Sequence, residues 1–199
     1  LSAVITLPFP ILVHSHNLFG GSIFDYSSLG PLPGGVLGWL VYTLPAYLFH
    51  RASHDYIVVW RWTHQMHHAP VRNDAASSSI VHPIESVVYA AIIILVAIGL
   101  LGLSLQATFV MLLIIQLFAF FPHTNIKTPP FIGYFIQRPE SHVLHHARRV
   151  QRVNYSDFPL WDMLFGTYLN PKQYSQEPLG FDDGKDEAYL DMLKGQLVS

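Results

Sequence analysis

Residues 86–121 read SVVYAAIIILVAIGLLGLSLQATFVMLLIIQLFAFF, a run of 36 positions without a charged side chain. An α-helix rises 1.5 Å per residue, so about 18 residues cross the roughly 30 Å hydrocarbon core of a bilayer. The run is therefore long enough for two membrane-spanning helices. We place the turn between them at residues 99–104, where Gly99, Gly102 and Ser104 interrupt the apolar sequence. The prediction is a tight hairpin over residues 86–121.

Apolar character extends beyond this hairpin. Residues 34–49 form a second uncharged stretch, in which Pro45 is expected to kink a shorter span, and residues 1–13 are apolar but short, as in the remnant of a truncated helix. Of the 199 residues, 51% are hydrophobic and only 12% are charged, whereas soluble domains carry about 25% charged residues. The predicted fold is an all-α integral membrane bundle of three to four spans, with residues 1–199 forming a single domain.

The positive charges indicate how this bundle is oriented. All eleven lysines and arginines lie in residues 51–72 or 127–194. If residues 34–49 bring the chain to one membrane face and the hairpin leaves and returns, both regions share that face, which the positive-inside rule makes cytoplasmic. Residues 50–85 and 123–199 are then expected to form a cytoplasmic helical cap, with an acidic, surface-exposed tail from about Pro171. A net charge of −2 without a basic face argues against a nucleic-acid partner.

Histidine is the most unusual component of the composition. The chain has no cysteine, which excludes disulfides, iron–sulfur clusters and thiol nucleophiles, and it has twelve histidines, more than its lysines and arginines combined. Ten of the twelve fall in the predicted cap, and we take these ten as candidate metal ligands: His50, His54, His64, His67, His68, His82, His123, His142, His145 and His146.

The spacing of these histidines favours two metal ions. His50 and His54 stand four apart, so they share one face of a helix. Each HxxHH box, His64–His68 and His142–His146, spreads three rings over an arc of about 100°. Within such a box one ring can serve one ion while its neighbours serve a second. Imidazole suits zinc, copper, iron and nickel, and two ions without a carboxylate-rich box fit a histidine-rich diiron site best.

Two other classes of membrane protein are rich in histidine. A zinc-dependent membrane hydrolase normally needs a carboxylate base beside the metal, as in HExxH, and neither HxxHH box contains one. A non-enzymatic metal transporter or sensor would line a path through the bilayer with histidines. Here His50, His82 and His123 stand at the ends of the predicted spans, so they do not form such a path.

The histidine boxes resemble those of the fatty acid hydroxylase or sterol desaturase superfamily of membrane diiron oxygenases. The HxxxH, HxxHH and HxxHH boxes of that superfamily match His50–His54, His64–His68 and His142–His146. His82-Pro-Ile-Glu85 is similar to the segment that opens its membrane hairpin, and residues 160–168 (LWDMLFGTY) to its conserved tail. The resemblance extends from about Leu37 to Pro171 and is greatest for bacterial and alkylglycerol monooxygenase-like members. The departures are a short or missing N-terminal span and residues 156–159 (SDFP) in place of a glycine.

This resemblance implies O₂-dependent hydroxylation, desaturation or ether cleavage of a lipid by two iron ions, with zinc able to replace iron in a purified sample. A C–H bond of a lipid offers no acid–base handle, so a redox metal must activate oxygen. The two electrons needed per turnover imply a separate donor, such as a cytochrome b5-like or ferredoxin-type protein, because no flavin, nicotinamide or haem motif is present.

Several polar residues are candidates to support the ligands or to bind partners. A ligating histidine usually donates its second ring N–H to an acceptor. The acceptors nearest in sequence are Asp55, Glu85, Asn125, Glu140, Asn154 and Asp162. Arg148, Arg149 and Arg152 are candidates for binding lipid phosphate or an acidic electron donor, or for anchoring the chain at the interface.

Overall fold

A computed structural model of the chain describes residues 20–148, 150–182 and 184–198; the N-terminal apolar segment and Arg149 lie outside this part. Every regular element in the described residues is helical, as predicted. The α-helices are α1 (Pro31–Asp55), α2 (Ile57–Trp62), α3 (Gln65–His68), α4 (Pro83–Ile94), α5 (Leu105–Phe120), α6 (Pro139–His146), α7 (Leu160–Phe165) and α8 (Tyr189–Leu193). Short 3₁₀ turns and one π-helical segment, Leu95–Leu100, complete the set.

Among the described residues, three helical segments are long and apolar enough to span a membrane: Pro31–Asp55, Pro83–Leu100 and Leu105–His123. The second and third confirm the predicted hairpin, since the helical residues stop at Leu100 and resume at Leu105. The first span is longer than predicted and contains Pro45 within the helix. The π-helical turn that ends the second span was not predicted, because apolar residues alone do not reveal a change in helical pitch.

The chain forms two compact units. The first comprises the described residues from 20 to 46 together with Ser86–Leu117. Its core is built by buried side chains from all three spans, such as Tyr42, Ile93 and Met111. Large apolar side chains on α5, including Leu113 and Leu117, are exposed. An exposed apolar helix face of this kind suits contact with lipid.

Small residues let α1 and α5 approach closely in this first unit. A Cβ atom added at Gly38 would lie 2.7 Å from both Leu103 Cδ1 and Met111 Sδ, and one at Gly34 would lie 2.8 Å from Ala107 Cβ. Close approach through glycine is typical of packing between membrane helices, where dispersion contacts replace the hydrophobic effect as the driving force. These glycines therefore set the distance between the two helices.

The hairpin turn is capped by the segment that precedes α1. The backbone N–H groups of Ile23, Phe24 and Tyr26 donate to the carbonyls of residues 99, 100 and 101 at 2.8–3.0 Å. These carbonyls lie at the end of the second span, where the last carbonyls of a helix have no partner within the helix. Gly102 has φ +58°, and an added Cβ there would lie 2.6 Å from Phe24 O, so both its conformation and its contacts require glycine.

The second unit comprises Tyr47–Glu85 and the described residues from Phe118 onward. Its apolar cluster is formed by Trp60, Met66, Ala69, Phe181 and Met192. Two members of this cluster come from the C-terminal segment, so the expectation of an exposed tail from Pro171 was wrong for residues 181 and 192. Gln65 further holds this segment by donating to Gln196 O at 2.6 Å.

Candidate metal centre

Four stretches of the second unit supply the histidines. The last two turns of α1 carry His50 and His54, and α3 with its N-cap carries His64, His67 and His68. His123 closes the 3₁₀ turn after α5, and α6 carries the box His142–His146. The structure thus brings together residues that are up to 96 positions apart in the chain.

Nine imidazoles converge in two groups. Group one contains His50, His54, His64, His68 and His145, and group two contains His67, His123, His142 and His146; within each group the nearest ring nitrogens all lie within 4.8 Å of one another. In group one, Nε2 of His50 lies 2.9 Å from that of His64 and 3.1 Å from that of His145. In group two, Nε2 of His142 lies 3.0 Å from those of His123 and His146.

Each HxxHH box is divided between the groups, as the helical spacing predicts. The first and last histidines of a box, His64 and His68 or His142 and His146, point into one group, and the middle ring, His67 or His145, points into the other. The two boxes contribute in opposite ways: the first box supplies two rings to group one and one ring to group two, and the second box supplies one ring to group one and two rings to group two. The rings of His68 and His146 stack at 4.2 Å between centroids, which holds the two groups side by side.

Backbone carbonyls fix the orientation of several rings. His50 donates from Nδ1 to Tyr155 O at 2.5 Å, and His145 donates from Nδ1 to Val153 O at 2.7 Å. In group two, His123 donates to Ala119 O at 3.0 Å, and His67 to Ile80 O at 3.3 Å. A carbonyl can only accept, so Nδ1 carries the proton in these rings. In the neutral ring Nε2 is then an unprotonated acceptor, and it points into the group.

Burial keeps these rings neutral. The pKa of His64 and of His67 is lowered to about 3, first by burial and then by neighbouring imidazoles. The same causes, in the same order, hold the pKa values of His68, His145 and His146 well below 6.5. Loss of hydration disfavours the imidazolium form, and only neutral imidazole binds a metal.

The donor set fits metal ions. Several acceptor nitrogens converge in each group, and such an arrangement is repulsive unless a cation lies between them. Metal–nitrogen bonds of about 2.1 Å place neighbouring ligand atoms of one ion about 3 Å apart, which matches the Nε2 separations of 2.9–3.3 Å. All ligands are neutral and neither group includes a carboxylate, so the centre is of the imidazole-rich type.

Glu85 is the acidic residue that supports a ligand directly. Its Oε1 lies 2.6 Å from His64 Nδ1, and both side chains are buried. Asp162 acts at one remove: it accepts the N–H groups of Tyr155 and Ser156, each at 2.8 Å, and thereby fixes the carbonyl that receives the His50 proton. Burial raises the pKa of Asp162 to about 6, and its hydrogen bonds oppose that rise.

The other candidate acceptors have different roles. Asp55 pairs with Arg51 on the surface at 3.4 Å, Glu140 binds Thr128 and Arg138, and Asn125 is exposed. Asn154 adopts φ +54° and bonds Ser141 O and the Leu169 N–H, so it shapes the loop after the third box. The Arg148 guanidinium is held by Asp182 and by carbonyls of residues 179–181, whereas Arg152 is exposed.

His82 is the predicted ligand that the structure leaves outside both groups. Its Nδ1 accepts the Ile84 N–H at 3.1 Å, and its Nε2 lies 3.4 Å from Leu193 O. Both ring nitrogens are thus engaged by backbone atoms. His82 immediately precedes α4 and contacts the C-terminal segment. Its His-Pro sequence marks the start of a helix.

Two parts of the site were not predicted from the sequence. The Tyr155 ring lies 5.4–5.8 Å from the rings of His50, His54 and His145, and its carbonyl orients His50. The Trp60 ring lies 5.1 Å from His54 and 5.2 Å from His68. In the sequence, the Asn-Tyr pair at 154–155 could have indicated the role of Tyr155. A backbone carbonyl that accepts a hydrogen bond cannot be recognised from a sequence.

Comparisons with known proteins place this site in context. The fatty acid hydroxylase family model matches residues 35–167. Ornithine lipid hydroxylase OlsE of Rhizobium tropici is 25% identical over 163 residues, which cover 79% of this chain and 48% of that protein. Very-long-chain aldehyde decarbonylase GL1-4 of Oryza sativa subsp. indica is 32% identical over 180 residues, covering 81% of this chain and 26% of that protein. No solved structure matches the chain.

The chain therefore spans about half the length of the first relative and about a quarter of the second. The family match covers all three histidine boxes and residues 160–167 after them. On this evidence the protein belongs to the fatty acid hydroxylase family, within the fatty acid hydroxylase/sterol desaturase superfamily that its histidine boxes resemble.

Proposed function

We propose that this protein is a membrane-bound diiron oxygenase that uses O₂ and two electrons to hydroxylate or desaturate a C–H bond of a lipid, whether fatty acyl, sterol or ether lipid. The observation that carries the proposal is the convergence of nine neutral imidazoles, eight of them buried, in groups of five and four. The family match and the three candidate spans support a lipid-modifying membrane enzyme.

The nine converging histidines would hold the two ions. Iron bound there would supply the activation of O₂ and the oxidation of the C–H bond. The protein supplies orientation and a dry environment: backbone carbonyls hold Nδ1 of four rings, Glu85 holds Nδ1 of a fifth, and eight of the nine rings are buried. The nine neutral imidazoles would leave the positive charge of bound ions uncompensated.

Hydrolysis by zinc is the alternative chemistry for a histidine-rich membrane site. It needs a carboxylate base beside the metal-bound water. Glu85 is the carboxylate in contact with the histidines of group one, and it touches His64 at Nδ1, whereas the ring nitrogens of the group converge through Nε2. This placement supports a role in orienting a ligand and does not favour a role as general base.

The electron donor and the orientation in the membrane are part of the proposal. We expect a separate cytochrome b5-like or ferredoxin-type donor and a centre on the cytoplasmic face. The positive-inside rule supports that face, since every lysine and arginine lies in residues 51–72 or 127–194. Fusing reporters to the C-terminus and to the turn at residues 101–104 would test the orientation.

Metal content and product analysis test the function together. Protein purified without oxygen after iron-replete growth should contain about two irons per chain, and cells expressing it should accumulate a lipid with one added oxygen or two fewer hydrogens. His145→Ala should abolish the product, and His82→Ala is the matched control because His82 lies outside both groups. Stoichiometric zinc without iron, or a product formed by His145→Ala, would contradict the proposal.

A further inference from the structure

A cavity of about 620 Å³ lies in the second unit beside group one. Its size is in the range of small-molecule binding sites, which are about 300–1,000 Å³. His54 belongs to both structures, since it forms part of the cavity wall and is a member of the five-imidazole group. A ligand in this cavity would therefore lie next to a candidate metal ligand.

His54 differs from the other eight converging histidines in its exposure. It is half-buried, whereas the others are buried. Its Nε2 is buried and has no hydrogen-bond partner among the described residues, and the residue forms part of the cavity wall. Three other rings of the group hold Nδ1 at an acceptor of the protein, His50 and His145 at carbonyls and His64 at Glu85, whereas Nδ1 of His68 has no partner among the described residues. A ligand with an acceptor atom would complete the same arrangement at His54.

The charges on the cavity wall favour an anion. The two acidic residues of the wall are each paired with an arginine, Asp55 with Arg51 and Asp182 with Arg148. The Arg148 guanidinium also donates to backbone carbonyls, so it forms part of the scaffold. Arg152 and Lys185 also line the cavity, and neither forms an ion pair within the described residues.

The remainder of the wall is apolar. Trp60 and Phe181 contribute aromatic surface, and Ile57, Val150 and Val198 contribute aliphatic surface. An acidic side chain of a docked protein would use the cations but leave this surface in contact with water. A molecule that joins one anionic group to a hydrocarbon segment would use both parts of the wall.

We propose that this cavity binds an amphiphile with an anionic head group, a carboxylate or a phosphate, held by Arg152 and Lys185 beside His54. The site goes beyond the proposed oxygenase function, because it is defined by binding and does not require that the ligand be oxidised. It gives the metal centre a neighbouring ligand that reaches one of its imidazoles directly.

Quenching of tryptophan fluorescence by bromo-octanoate tests the proposal. The protein is held in phosphatidylcholine nanodiscs, with empty nanodiscs as a blank for partitioning into lipid. We expect saturable quenching that octyl phosphate displaces, and at least tenfold weaker displacement by octanol or inorganic phosphate. Trp60→Phe should remove most of the quenching, because Trp60 is the tryptophan that lines the cavity.

Charge and volume variants locate the binding site. Arg152→Gln with Lys185→Gln should raise the Kd for bromo-octanoate at least tenfold, and Val198→Trp should do the same by filling the cavity with every cation kept. Lys127→Gln with Lys172→Gln is the matched control, since both lysines are exposed and neither lines the cavity. The control should change the Kd by less than twofold.

Four results would overturn the proposal. Equal weakening of bromo-octanoate binding by the two double variants would indicate that positive charge anywhere on the surface attracts the anion. Displacement by inorganic phosphate as strong as by octyl phosphate would indicate a site for a free anion. Quenching that persists in Trp60→Phe would place the amphiphile elsewhere. Displacement of bromo-octanoate by an acidic redox protein but not by octyl phosphate would indicate a docking surface. None of these measurements involves turnover, so their outcome is separate from that of the oxygenase assay.

Discussion

Replacing Glu85 by glutamine should selectively weaken metal binding by the histidines of group one. The Glu85 carboxylate lies 2.6 Å from His64 Nδ1, and His64 belongs to group one. Both side chains are less than 5% exposed, so water cannot substitute for the lost charge. Glutamine keeps the shape and can still accept the Nδ1 proton, but the hydrogen bond is no longer assisted by a negative charge.

The size of the effect follows from this hydrogen bond. An ionised acceptor makes His64 a more basic ligand, and removing such partners costs about 10-fold to 100-fold in metal affinity. This loss is equivalent to about 1.4–2.8 kcal/mol. Group two contains no ring in hydrogen-bond contact with Glu85, so its affinity should change by less than about threefold.

Competitive titration with a chelator measures the two sites separately. Wild-type protein loaded with zinc, which has no redox chemistry, should release its metal in one or two steps, and Glu85→Gln should shift one equivalent only. Glu140→Gln is the matched control because Glu140 is also buried but binds Thr128 and Arg138. Loss of both equivalents, no shift, or the same shift in Glu140→Gln would refute the reasoning.

Three further perturbations test the fold and the site. Metal-free protein should lose stability as the pH falls from about 6.5 towards 3, because His64 takes up a proton in the unfolded chain but stays neutral in the folded protein, where burial lowers its pKa to about 3. In thermal melts, the free energy of unfolding should fall by about 1.4 kcal/mol per pH unit for each such ring and should not change above about pH 7.5. Gly38→Leu should destabilise the protein by about 1–3 kcal/mol, because its Cβ alone would lie 2.7 Å from side-chain atoms of Leu103 and Met111. Gly99→Ala, whose Cβ would meet no atom within 4 Å, is the control, and equal melting temperatures of the two variants would contradict the close packing. Asp162→Asn should lower both the melting temperature and the metal content. An amide cannot accept two backbone N–H groups and the Thr167 hydroxyl as the carboxylate does, so the Tyr155 carbonyl would shift. Unchanged metal content would show that this loop does not support the metal centre.

The histidine spacing predicted much of the candidate site. His50 and His54 share a helix face, and the HxxHH spacing sends the middle ring of each box in a different direction from its neighbours, as the structure has it. Spacing within a box does not reveal which other boxes its rings will meet. His82 shows this limit. The sequence predicts it before the hairpin, where the structure has it, but its ring nitrogens lie at backbone atoms outside both groups.

Long-range contacts were the least predictable part. The apolar members of the C-terminal segment, Phe181 and Met192, pack on Trp60, which stands more than 100 positions earlier. The carbonyls that orient His50 and His145 belong to Tyr155 and Val153, and any residue type offers the same carbonyl. These partners depend on the path of the backbone, which side-chain patterns do not specify.

The sequence by itself determined the three spans, the hairpin and the choice of imidazole as ligand, because hydrophobic runs, charge and residue spacing act locally along the chain. Only the tertiary structure decided that the rings divide into groups of five and four, that the two HxxHH boxes contribute to them in opposite ways, and that His54 alone among the nine is half-exposed beside a cavity. The physical reason is that a metal centre requires atoms about 3 Å apart. Such precision comes from packing and from oriented hydrogen bonds between segments that are distant in the sequence.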